Sequence, residues 1–189
     1  MKAARLEAFS DGVIAIIITI MVLEMKVPHD ASPAALFKLW PVFLSYVLSF
    51  AIVAIYWVNH HHLLHLVSKV DGRTLWFNIH LLFWLSLMPF VTGYMGENHA
   101  TPLSVALYCG VATASSLAFY LLRWAIACHH RQDAALMTLH TRMGRKNLLA
   151  LGIYVVAVGM SFVYVPLALL LVALPAVMYF MPDRTVEAK

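Results

Sequence analysis

Charged side chains are scarce in this sequence: 13 Lys and Arg and 9 Asp and Glu stand among 189 residues. Soluble globular domains carry about 25% charged residues, whereas this chain is 12% charged and 62% hydrophobic. Its mean hydropathy is +0.81. Only helix bundles and closed barrels satisfy every backbone group in lipid, and the apolar runs here are long rather than alternating. The composition therefore predicts an all-α integral membrane protein.

Motifs for catalysis and for nucleic-acid binding are also missing. The sequence contains no Ser/His/Asp set, no HExxH, no Walker loop and no paired carboxylates within an apolar run, so we do not expect an enzyme. Cys109 and Cys128 lack metal-ligand spacing and indicate no disulfide framework. No basic soluble surface is available for nucleic acid. We expect neither a cofactor nor a nucleic-acid partner.

Six apolar runs divide the chain into predicted membrane spans. Their bounds are 8–25, 39–66, 75–94, 102–127, 147–163 and 166–181. The last two must be separate, because one helix from residue 147 to residue 181 would be about 52 Å long, against a hydrocarbon core of about 30 Å. Pro166 is the expected hinge. The chain 1–189 is thus predicted to be a single six-helix transmembrane domain without a soluble domain.

The basic residues predict how these spans are oriented. Six spans put both termini on one side of the membrane, and every Lys and Arg except Lys26 and Lys38 falls on that side. By the positive-inside rule this side is cytoplasmic. We therefore expect a multi-pass protein of the cell (plasma) membrane with both termini in the cytoplasm. The segment 132–141 is then a short cytoplasmic loop or helix.

One face of the first span is a stripe of small and branched apolar residues with one hydroxyl. At 100° per residue, an arc of about 100° contains the side chains of that stripe, namely Gly12, Ile16, Thr19, Ile20 and Leu23. Such a stripe is typical of a helix packed in a bundle core. The alternative is a pore wall, where symmetric copies of one helix present apolar rings that gate by dewetting.

Asp11 lies near the start of this apolar span, where a carboxylate in hydrocarbon costs about 2.5–3.5 kcal/mol. Asp11 and Ser10 could cap the helix, since both side chains accept hydrogen bonds from free N–H groups at a helix start. Arg5 and Glu7 precede them at helical spacing without a breaker, however, which favours an earlier start. In that case Asp11 needs a hydrogen-bonded partner from another span.

Candidate partners stand at the end of the second span, YWVNHHHLLHL, and at the start of the third. We predict that some of these side chains contact Ser10 and Asp11, the candidates being Trp57, Asn59, His60, His61, His62, His65, Asn78 and His80. His61 and His65 lie at i and i+4, a spacing compatible with a metal. No carboxylate or thiol joins them, so a haem or metal site is an alternative rather than our prediction.

A third motif, VTGYMG at residues 91–96, is similar to the TVGYG potassium filter. That filter requires a short pore helix and a re-entrant loop between two spans. Here the residues close a full span, so we interpret them as the end of a helix and a turn.

The first span carries an RxxxFSD motif, formed by Arg5, Phe9, Ser10 and Asp11, and continues as DGVIAIIITIMVLEMKVP. This segment resembles the transmembrane protein 175 family, specifically its bacterial single-repeat members. The resemblance implies a six-span, potassium-permeable channel that has no TVGYG filter. It also implies a homotetramer in which the first helix of each subunit lines a central pore.

The family's site residues carry over to matching positions of this chain. The resemblance implies a hydrophobic constriction at Ile16, further apolar layers at Ile20 and Leu23, and a pore-facing threonine, implicated in ion coordination or selectivity, at Thr19. It implies that the RxxxFSD residues tie the first helix to its neighbours. Among those contacts we would place Trp57, His60, His61 and Asn78.

The sequence as a whole predicts passive flow of cations, with potassium favoured, through this pore. The permeant ion is the only expected metal, and the expected partners are three further copies of the chain, the lipid bilayer and monovalent cations. Two alternatives from other classes are a secondary transporter and a histidine-ligated membrane redox protein.

Overall fold

The computed structural model describes residues 2–65, 67, 69–129 and 134–180. Eight helices follow one another along these residues: α1 (Ala3–Leu23), α2 (Pro33–Lys38), α3 (Trp40–His65), α4 (Gly72–Ser86), α5 (Met88–Glu97), α6 (Pro102–His129), α7 (Ala134–Ser161) and α8 (Val165–Phe180). No β-strand occurs in these ranges, although an isolated backbone bridge joins Lys2 to Lys69. The all-α prediction is confirmed for this part of the chain.

Four helical stretches are long and apolar enough to cross a membrane, namely Ala3–Leu23, Trp40–His65, Gly72–Glu97 and Pro102–His129. The third consists of α4 and α5, which are interrupted at Leu87. Pro89 follows this break and lacks the N–H that would bond to the preceding turn. The remaining predicted spans correspond to α7, which has 28 residues, and α8, which has 16.

Several predicted helix bounds were wrong in an informative way. The first helix begins at Ala3 rather than at residue 8, α7 begins at Ala134 rather than at residue 147, and the short helix α2 was not predicted. An apolar run marks only the part of a helix in hydrocarbon, whereas the helix itself continues into the polar interface. The turn between α7 and α8 lies directly before Val165, next to the predicted hinge. Several basic residues used for orientation lie outside the described residues: Arg131, Arg184 and Lys189.

The buried side of α1 packs against α3, α4 and α5, while α6 packs against α4, α5 and α7. Hydrogen bonds between side chains join three of these helices in the interior. Thr92 donates to the Ser49 hydroxyl over 2.7 Å, and the hydroxyls of Ser49 and Tyr108 lie 2.9 Å apart. Gly96 allows α5 to approach α3, because a Cβ there would lie 2.8 Å from the Val42 Cα.

Residues 91–96 lie within α5, so the interpretation of VTGYMG as helix rather than filter is confirmed. Their carbonyl oxygens take part in helical hydrogen bonding and cannot form the ring of free carbonyls that a filter requires.

Side-chain contacts fix two helix ends outside the predicted spans. Asp71 caps α4 by accepting from the Thr74 N–H over 2.8 Å. Hydrogen bonds from the side chain and backbone of Thr74 lower the pKa of the Asp71 carboxyl. On the other side, Lys26 and Glu97 form an ion pair of 2.6 Å that ties the chain after α1 to the end of α5, and this contact raises the pKa of Lys26.

Candidate functional site

The two faces of α1 differ sharply in burial. One face is buried within the protomer and consists of Ala3, Leu6, Ser10, Ile14, Ile17 and Met21. The opposite face is exposed and carries most of the predicted site residues: Arg5, Phe9, Gly12, Ile16, Thr19, Ile20 and Leu23. The contrast is clearest between neighbours, since Ile16 is 58% exposed and Ile17 is 3% exposed.

Asp11 lies on the flank between these faces and is hydrogen-bonded to α3. The Trp57 indole Nε1–H donates to Asp11 Oδ1 over 2.9 Å. The alternative that Asp11 caps α1 is wrong, because the helix begins at Ala3, two turns earlier. The carboxylate is therefore held by a partner from another span, which is how an ionisable group inside a membrane helix is ordinarily accommodated.

A second contact repeats this arrangement one helical turn closer to the N-terminus. His61 Nδ1 lies 2.7 Å from Glu7 Oε1. The helices α1 and α3 run antiparallel here. Glu7, four residues before Asp11, therefore lies opposite His61, four residues after Trp57. Sequence reasoning missed Glu7. The sequence did indicate it, because Glu7 lies four residues before Asp11 and this spacing puts both carboxylates on one face of the helix.

Ser10 connects α1 to α4 and α3 through a buried chain of hydrogen bonds. Its hydroxyl donates to the Leu6 carbonyl over 2.8 Å and accepts from Asn78 Nδ2 over 2.9 Å. The Asn78 Oδ1 lies 2.7 Å from His60 Nε2. Because an amide oxygen only accepts, His60 must carry a proton on Nε2. The other ring nitrogen of His60, Nδ1, has no hydrogen-bond partner within the described part of the chain.

Other candidates lie outside this network. Arg5 and Phe9 belong to the RxxxFSD motif, but both side chains are exposed on the outer face of α1. Asn59 donates to the Ile55 carbonyl of its own helix over 2.7 Å. His80 accepts from the Trp84 indole over 2.9 Å. The structure thus brings together Ser10, Asp11, Trp57, His60 and Asn78, with His61 joined to Glu7.

The histidine pair that suggested a metal site forms a ring contact. The centroids of His61 and His65 are 5.8 Å apart with nearly parallel planes, and Glu7 already occupies the Nδ1 side of His61. Across the described residues, no three His, Cys, Asp or Glu side chains come together in a way that could hold a metal ion.

The exposed face of α1 borders a groove of about 340 Å³ beside α4 and α5, lined by Ile16, Ile20, Glu24 and Phe90 among others. On the same face, the Thr19 hydroxyl donates to the Ile16 carbonyl over 2.8 Å. Since its proton is used within the helix, the hydroxyl oxygen can still offer lone pairs to a cation. This face of α1 therefore presents a cation with bulky apolar side chains and one weak oxygen ligand.

Comparison with known proteins gives consistent results. The family model described as the endosomal/lysosomal potassium channel TMEM175 matches residues 5–89. A protein of Chryseobacterium sp. (strain P1-3), named as a potassium channel, is 44% identical over 188 residues, which cover 99% of this chain and 97% of the relative. A potassium channel of Streptomyces collinus (strain DSM 40733 / Tue 365) is 35% identical, covering 94% of this chain and 91% of the relative.

A solved structure is also similar to this chain. It is the crystal structure of a lysosomal potassium-selective channel TMEM175 homolog from Chamaesiphon minutus. It matches with a TM-score of 0.82 and 30% sequence identity, covering 95% of this chain and 96% of that chain.

Proposed function

Because this chain belongs to the TMEM175 family of potassium channels, we propose that it conducts potassium through a central pore lined by α1 of four identical subunits. The protein is a multi-pass membrane channel and not an enzyme. In the proposed arrangement α1, α3, the α4–α5 pair, α6, α7 and α8 each cross the plasma membrane once. Six crossings put both termini on one side of the membrane, and the positive-inside rule makes that side the cytoplasm.

The observation that carries this proposal is the exposed stripe on α1. Ile16, Ile20 and Leu23 are 58%, 40% and 77% exposed in the protomer, although the other side of the same helix is buried. In a tetramer each of these positions would form a ring of four aliphatic side chains. Ile16 forms the narrowest ring, and the Thr19 oxygens provide the polar ligands between the apolar layers.

The polar residues of the same helix argue for water rather than lipid beside it. Arg5 is exposed at the start of the stripe, and Asp11 is half-buried on the flank of α1, within the apolar run. In hydrocarbon the Asp11 carboxylate would be costly, whereas a hydrated cytoplasmic entrance would solvate it. A lipid-facing position would suit the isoleucines equally well but not this carboxylate.

The hydrogen bonds of Ser10 and Asp11 have a positioning role in this proposal. Asn78 on α4 and Trp57 on α3 hold two successive residues of α1 from different sides. Two such contacts fix the rotation of the helix about its axis. The motif therefore determines which residues of α1 face the ions, without itself selecting among them.

Recordings from the purified protein in planar bilayers test this function. With potassium on one side and sodium on the other, we expect unitary current steps and a reversal potential displaced towards the potassium equilibrium potential. Protein-free bilayers of the same lipid serve as the control. A reversal potential of zero would contradict potassium selectivity. Flux that is coupled to a second solute and shows no unitary steps would favour a transporter.

A further inference from the structure

A second polar feature lies inside the protomer, away from the exposed face of α1. It is a cavity of about 20 Å³ at the junction of α3, α6, α7 and α8. Its polar lining consists of Tyr56, Asn59, Ser116, Asn147, Tyr154 and Tyr179. Tyr56 and Asn59 are the sequence neighbours of Trp57 and His60, so α3 separates this cavity from the contacts around the RxxxFSD motif.

One residue that lines the cavity has a buried acceptor without a donor. Asn147 is 3% exposed, and its amide nitrogen donates to the Ser116 hydroxyl over 2.9 Å and to the Ser116 carbonyl over 3.3 Å. A backbone carbonyl can only accept, so the nitrogen of the amide must be the atom that faces Ser116. The oxygen, Oδ1, then points elsewhere and has no hydrogen-bond partner in the residues that the structure describes.

We propose that a water molecule occupies this cavity in each subunit and donates a hydrogen bond to Asn147 Oδ1. A buried water needs a space of about 10–15 Å³ or more and two to four polar partners. The volume of about 20 Å³ is sufficient, and the hydroxyls of the lining provide further partners. No carboxylate lines the cavity, so a neutral ligand fits it better than a cation. The water connects the α6–α7 pair to α3, the helix whose Trp57 is hydrogen-bonded to α1.

Radiolytic hydroxyl labelling of the intact, reconstituted channel tests the proposal. A tyrosine beside a bound water is hydroxylated by radicals formed from that water, even where bulk solvent does not reach it. Tyr154 lines the cavity and is 4% exposed, whereas Tyr108 is 0% exposed and bonds to Ser49 away from it. We expect Tyr154 to be labelled several-fold faster than Tyr108. Equal rates would overturn the proposal.

The variant Asn147→Leu shows whether labelling of Tyr154 comes from a bound water or from bulk solvent that enters the cavity. Leucine has the same branched arrangement of four side-chain heavy atoms as asparagine but is bulkier and offers the water no acceptor, so it removes the water both by its chemistry and by its size. In a variant that elutes like the wild type, labelling of Tyr154 should fall to the rate of Tyr108, which should itself stay unchanged. Persistent labelling of Tyr154 would assign it to bulk solvent and contradict the proposal.

A high-resolution crystal structure of the wild-type channel gives an answer that does not depend on the variant. We expect a density peak about 2.7–3.2 Å from Asn147 Oδ1. A well-ordered Asn147 beside an empty cavity would contradict the proposal. Neither result depends on where the ions cross, so the proposal can fail without affecting the proposed pore.

Discussion

Ile16 and Ile17 have the same side chain and adjacent positions, yet one is 58% exposed and the other is 3% exposed. Ile17 packs into the hydrophobic core of the protomer, whereas Ile16 is exposed on the outside of α1, although both side chains border the groove beside α4 and α5. Their different environments follow from the rotation of one helix by 100° per residue. The comparison teaches that the role of an apolar side chain in α1 is determined by its face and not by its chemistry.

The polar residues of α1 explain why this rotation is fixed. Ser10 on the buried face and Asp11 on its flank bind different helices, with partners at 2.9 Å in each case. Turning α1 by one residue would bring Ile16 to the buried side in place of Ile17 and would break both hydrogen bonds. Packing of isoleucine alone would resist this rotation less, because both positions carry the same side chain.

The largest expected effect belongs to the buried isoleucine. Ile17→Asn removes apolar packing and buries an amide without partners, so we expect a loss of about 2–5 kcal/mol in the free energy of unfolding. Thermal unfolding of the purified channel and the yield of intact oligomer measure this loss. The matched control Ile16→Asn should keep both close to wild type. Equal destabilisation by the two variants would contradict the assignment of Ile17 to a buried face and Ile16 to an exposed face of α1.

A smaller effect is expected at Asp11. Asp11→Ala removes the acceptor of the Trp57 indole, and hydrogen bonds to charged groups contribute about 1.5–3 kcal/mol. Size-exclusion chromatography should therefore show less assembled channel, while the remaining channels keep their ion preference. Trp57→Phe removes the other half of the same contact, so the double variant should lose less than the sum of the two single variants. Normal assembly combined with altered selectivity would contradict the positioning role.

The smallest expected effect on stability is at Thr19. Thr19→Val should change the free energy of unfolding by no more than about 0.5 kcal/mol, because the side chain is exposed. If the Thr19 oxygen contacts ions, the same variant should lower the preference for potassium in reversal-potential measurements. Thr113→Val is the matched control, since its hydroxyl makes a similar bond within α6, to the Cys109 carbonyl over 2.8 Å. An equal change of selectivity in both variants would argue against a specific role for Thr19.

Helices that coincide with an apolar run could be predicted closely from the sequence. The predicted bounds 39–66 and 102–127 differ by no more than two residues from those of α3 and α6. The starts of α1 and α7 were missed because these helices extend beyond the hydrocarbon into polar sequence. The break at Leu87 was missed as well, although Pro89 provided a local reason for it.

The candidate site was predictable to the extent that it depends on one helix at a time. Periodicity alone put Ile16, Ile20 and Leu23 on one face, and the cost of a charge in lipid pointed to a partner for Asp11. The contact between Glu7 and His61 depends on the register between α1 and α3, which no single-helix pattern contains. The orphaned oxygen of Asn147 likewise depends on how four helices meet.

The most direct test of a pore lined by the exposed face of α1 is a bilayer recording of Ile16→Asn and the wild type, which gives the unitary current in symmetrical potassium and the reversal potential between potassium and sodium. An amide ring hydrates a constriction that four isoleucines keep apolar, so a normally assembled variant should show a larger unitary conductance and a weaker preference for potassium over sodium. A normally assembled variant with unchanged conductance and unchanged selectivity would contradict Ile16 as the constriction.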